Sequence, residues 1–121
     1  MIESIALHQA RRLWGARARV VDRGPGYGLP AATRSALLQE MERIERARPR
    51  DYQTMLDSLR ARLDTRHRYQ VGYDDWNTGL DVFVVMGQGA SFEEAFDEAR
   101  RRQERIDRAR TLAAVSRFGR E

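Results

Sequence analysis

The apolar period of this chain changes from helical to strand-like after Arg68 and back again after Met86. Tyr69, Val71 and Tyr73 alternate with Gln70, Gly72 and Asp74; after "DDWNTG", Leu80, Val82, Val84 and Met86 share one face and Asp81, Phe83 and Val85 the other. A period of two requires extended backbone, and a short polar segment between two such runs reads as a β-hairpin, with Gly79 at positive φ. Two strands alone are not stable in water. Three remedies are open. Helices cover one face; residues 17–22, "RARVVD", add a third strand; or the edge pairs with a second copy of the chain, giving a homodimer. Phe83 and Val85 are apolar on the face away from Val82 and Val84, so the second strand wants cover on both sides.

Helical spacing flanks the hairpin. Ile2, Ile5, Ala6, Gln9 and Leu13 form one stripe with Trp14 beside it, in a helix that either stops near there or runs on toward Val21. "DRGPGYGLP", residues 22–30, is a loop, and Pro30 suits the first turn of a second helix carrying Leu37, Met41, Ile44 and Ala47. Pro49 ends that helix. Asp51 is a good N-cap for a third, in which Tyr52, Met55, Leu56, Leu59 and Leu63 recur at helical spacing. A last helix spans about 92–115, with Phe92, Ala95, Phe96, Ala99, Ile106 and Ala113 toward the core and Gln103 filling the gap. These elements predict an α+β fold in a single domain, 1–121: a small antiparallel β-hairpin or sheet, about 69–86, packed against three to four α-helices.

"MGQGASFEEAFDEARRR", residues 86–102, has the outline of a phosphate-cradling loop: strand, glycines, helix. A P-loop needs Gly-Lys-Ser/Thr, and this chain has no Lys. The dinucleotide fingerprint needs a third glycine where Phe92 stands. Glu93, Glu94, Asp97 and Glu98 fill the first helical turns, suit the dipole themselves and repel a phosphate. Ser91 with Glu94 three residues on is instead a capping box, and Gly87 and Gly89 let the strand turn sharply. The stretch G-A-S-F-E-E-A-F-D-E-A, residues 89–99, resembles the strand-to-helix junction of HicB-type antitoxin domains. No function is carried over from it.

The remaining chemistry is sparse. There is no cysteine, which excludes disulfides, thiol catalysis and thiolate metal sites. His8 and His67 lack partners at metal-ligand spacing, and His67 suits the dipole of a helix C-terminus. Asp74, Asp75 and Asp81 flank the hairpin turn, where acids serve solubility and Asx-turns more often than a cation. No serine stands in a nucleophile elbow. The expectation is therefore no catalytic residue, no metal and no cofactor. The longest apolar run, Val82–Met86, is too short for a membrane span, and "MIESIALHQARR" does not read as a signal peptide, so a cytoplasmic protein without a membrane partner is expected.

Charge and aromatics point to a macromolecular partner. All 22 basic residues are Arg, for which a GC-rich coding sequence is the plain explanation and bidentate anion contact the functional one. Residues 1–50 hold 10 Arg against 5 acids, so the basic excess lies there. Arg11, Arg12, Arg17, Arg19, Arg23 and Arg34 interleave with Trp14 and Tyr27, a pattern that suits protein interfaces and nucleic acid alike. Arg101, Arg105 and Arg108 share one helix face, where Asp97–Arg101 and Glu104–Arg108 pairs predict a solvated surface. Trp76 sits in the hairpin turn, where it either folds back over Val71 or Phe83 or projects as an anchor flanked by Asp74 and Asp75. The leading reading is a small non-catalytic binding protein that occupies a partner's surface, most often a protein's. Inhibitors and accessory proteins of phages and mobile elements, anti-CRISPR-like or immunity-like, have this character. The alternative is a nucleic-acid-binding regulator using the Arg-rich N-terminal half.

Overall fold

The computed structural model describes residues 2–77, 79 and 81–118. In chain order they form α1 (Ile2–Trp14), a 3-10 turn (Gly15–Arg17), β1 (Ala18–Asp22), α2 (Ala31–Ala47), α3 (Tyr52–Leu63), β2 (Tyr69–Asp75), β3 (Val82–Gly89) and α4 (Phe92–Phe118). The strands make one antiparallel sheet in the order β1-β2-β3. The fold is thus α+β, as the periodicity predicts, and the third strand is "ARVVD". α1 does not continue toward Val21: Gly15, at φ +66°, breaks the helix, and the β-branched pair Val20–Val21 then extends. Leu80 lies outside the described residues; Gly79 has φ +74°, as the turn requires.

α1 and α4 cover one face of the sheet. The core there is Ala6, Ala10, Val20, Val71, Met86, Phe92, Ala95 and Ala99, with Leu7, Trp14, Tyr69, Tyr73, Val84 and Ile106 packed around it. This corrects two stripes. In α1 the buried positions are Ala6 and Ala10, while Ile5 is 62% exposed and Leu13 is also exposed. In α4, Ala113 is exposed and Ile106 is the last position packed on the core. Both helices meet the sheet through alanine, so their backbones come close and the larger residues are displaced to the flanks.

α2 and α3 form an antiparallel hairpin inserted between β1 and β2. Leu37, Ile44, Leu56 and Leu63 are its buried residues. Arg48 takes the left-handed conformation at the end of α2, just before Pro49. Asp51 occupies the N-cap position of α3, but its carboxylate makes no cap bond; Tyr52 N–H bonds to Pro49 C=O instead. The hairpin is tied to the sheet by Gly26 N–H to Leu63 C=O at 2.7 Å, by Arg23 N–H to Arg68 C=O at 2.8 Å, and by Arg68. That guanidinium is bidentate on Asp22 (2.9 and 3.1 Å), reaches Asp64 at 2.5 Å and lies 4.7 Å from the Tyr69 ring centre.

Candidate partner-binding face

Gly87 and Gly89 are neither a phosphate cradle nor the sharp turn expected of them. β3 runs straight through both to residue 89. Tyr73 pairs with Val84 and Gly72 with Val85, but Val71 pairs with Gly87, so Met86 is the extra residue of a β-bulge. α4 crosses here at backbone contact. A Cβ on Gly87 would stand 2.1 Å from Ala95 O and 2.5 Å from Ala99 N; one on Gly89 would meet Glu94 Cβ at 2.6 Å. The space beside Gly87 that an anion would need is filled by the helix itself. At the start of α4, Ser91 Oγ accepts Glu94 N–H at 3.1 Å, as the capping box predicts. The return arm is displaced by one residue, with Glu94 Oε2 accepting Ala90 N–H at 2.9 Å. Ser91→Ala is expected to cost about 1 kcal/mol. An unchanged melting temperature would show that this bond does not hold the helix start.

No helix of the described residues packs across the second face of the sheet. Strand parity places Arg19 and Val21 of β1, Gln70, Gly72 and Asp74 of β2, and Phe83 and Val85 of β3 on this side, with Arg23 in line just past β1. Arg19 lies 5.0 Å from the Phe83 ring centre and pairs with Asp74 at 3.4 Å. Arg17 lies 5.8 Å from the centre of the Trp76 ring. Trp76 is 56% exposed and does not cover Val71, which is buried beneath α1 and α4. Asp75 Oδ1 accepts Asn77 N–H at 3.0 Å, which fixes the turn. Among the described residues no acidic cluster could hold a metal ion.

The expected contact residues therefore divide into groups. Arg19 and Asp74 lie on the uncovered face near the hairpin tip, Arg17 and Trp76 meet beside them, and Asp75 points to the opposite side of β2. Arg23 and the exposed Tyr27 stand together at the opposite end of β1, 5.9 Å apart from guanidinium to ring centre, with Arg23 Nε donating to the buried Gln70 Oε1 at 2.9 Å. Arg11 and Arg12 are exposed on the last turn of α1. Trp14 is half-buried between helix and sheet: its Nε1–H donates to Gln103 Oε1 at 2.9 Å, and its ring lies 6.0 Å from that of Tyr73. Half-buried Phe83 and Val85 complete the face, while Gln70 is buried beneath Arg23. The sequence signal for Phe83 and Val85 is their parity in β3. On α4, Asp97 bonds Arg100 rather than Arg101, and no Glu104–Arg108 pair forms among the described residues.

A cleft of about 400 Å³ lies between the α3–β2 turn and the start of α4, lined by Arg66 and His67 on one side and by Glu94, Asp97, Glu98 and Arg101 of α4 on the other. His67 does not sit on a helix end; its ring packs on Gly28 in the 22–30 loop. Among the described residues no helix is long and apolar enough to cross a membrane. Compared with family models, with curated proteins and with solved structures, the chain matches none.

Proposed function

We propose that this is a small non-catalytic binding protein of the inhibitor or accessory type, which acts by occupying a surface on a protein partner. The observation that carries the reading is Trp76: an indole 56% exposed at a hairpin tip, beside Arg17 and at the end of a sheet face that no helix of the described residues covers. Leaving such a ring in water forgoes the roughly 150–250 Å² of burial that an aromatic ordinarily gains, and Trp and Arg are both enriched among interface anchors. Nucleic acid is the second reading, favoured by the three guanidinium–ring contacts along β1.

Immobilised wild-type chain and Trp76→Ala chain, used to capture proteins from lysate of the source organism, test this directly. A protein retained by the wild type, lost with Trp76→Ala and still retained by Arg101→Ala supports the reading. Captured nucleic acid, with affinity falling steeply as salt rises, would replace it with the second.

A further inference from the structure

We propose that the free edge of β1 receives an extended acidic segment of the partner as a fourth strand; this rests on the uncovered face being the partner site. The sheet has two edges, β1 and β3. At the β3 edge, Arg102 of α4 donates to Val85 C=O at 3.2 Å, so the chain partly closes that edge itself. β1 differs. Arg23 N–H donates to Arg68 C=O, which continues the register that pairs Asp22 with Tyr69. In an antiparallel ladder alternate residues bond the neighbouring strand. Residues 19, 21 and 23 therefore bond β2, while Val20 and Asp22 turn both N–H and C=O outward. Ala18 turns out only its C=O, since its N–H bonds to Gly15 C=O. No hydrogen bond from the described residues reaches the outward groups of Val20 and Asp22.

Such an edge is a template for another strand, and charge decides which. Arg19 stands on the uncovered side of β1, and Arg23 follows in line just past the strand end. An added strand places its own alternate side chains beside them, where carboxylates pair and cations repel. A second copy fits less well: antiparallel pairing about Val20 sets Arg19 opposite Val21, so the guanidinium gains no carboxylate partner. An acidic segment with a β-prone residue at every second position fits both the ladder and the charge.

The probe is a fluorescein-labelled peptide of alternating Glu and Thr, about ten residues long, titrated by anisotropy with the whole chain. Three further probes are the same peptide N-methylated at alternate amides, its Lys–Thr counterpart and an oligothymidylate of similar length. The Glu–Thr peptide is expected to bind, to lose about tenfold or more in affinity on N-methylation or on exchange of Glu for Lys, and to weaken likewise against Arg19→Glu. N-methylation leaves the protein untouched, so that arm is independent of any folding defect. The proposal is overturned if the Glu–Thr peptide does not bind, if N-methylation changes nothing, if the oligothymidylate binds more tightly, or if the chain occupies the edge with a second copy and runs as a dimer. A protein captured through Trp76 while the peptide fails would leave the binding function standing and remove only the strand-addition mode.

Discussion

Gly87→Ala is expected to cost about 3 kcal/mol or more. The added carbon would meet backbone, not flexible side chains: 2.1 Å to Ala95 O and 2.5 Å to Ala99 N. Relief requires α4 to rise off β3, which parts the alanine face that builds the core. Gly24→Ala is the contrast. It has φ +95° but nothing within 4 Å of the new atom, so only the left-handed backbone penalty of about 1 kcal/mol applies. Chemical denaturation of both variants measures the difference. Equal losses would mean that α4 does not sit on Gly87 as described.

Arg68→Ala is the second large effect, expected at about 2 kcal/mol near neutral pH. The Arg68 side chain is only 17% exposed, and it joins Asp22 of β1 to Asp64 after α3 and stacks on Tyr69. Arg68→Lys should recover little, since an ammonium cannot make the bidentate contact. The loss carries a pH signature. The hydrogen bond from Arg68 holds the Asp22 carboxyl below the usual aspartate range, against the opposing effect of burial and with help from Gly24 N–H. A carboxyl lowered in the fold stabilises it fully above the unfolded value of about 3.9. That stabilisation is lost as pH falls through the folded value. Wild type should therefore lose stability below about pH 4 more steeply than Arg68→Ala. Parallel acid curves would show that Asp22 is not held in this way.

The hairpin, the Ser91 cap and the helix count were legible because each rests on local rules: parity, capping and punctuation by glycine and proline. The helix faces were not. A search for large apolar residues finds Ile5 and Leu13, whereas α1 buries Ala6 and Ala10. Small residues win where helix and sheet backbones approach closely, and that approach is set by Gly87, a partner far along the chain. The glycines of "MGQG" serve structure by admitting a helix and not by turning the chain, and only the tertiary contact of Gly87 with Ala95 and Ala99 reveals that use. At the candidate site, the aromatic and the acids of the turn were visible from sequence. The approach of Arg19 to Phe83 was not, since it depends on β1 pairing with a strand some fifty residues later. Trp14 is legible as an aromatic interleaved with arginines, but its bond to Gln103 depends on how α1 and α4 meet.

Trp76→Ala separates a displayed anchor from a core residue most directly, by a melt and a binding isotherm on the same protein with the partner that wild type captures. If Trp76 is an anchor, the melting temperature stays at the wild-type value while affinity falls by about 2 kcal/mol, near thirtyfold. A stability loss of about 3 kcal/mol or more, or unchanged affinity in a stable variant, would contradict the assignment of the hairpin tip to the binding surface.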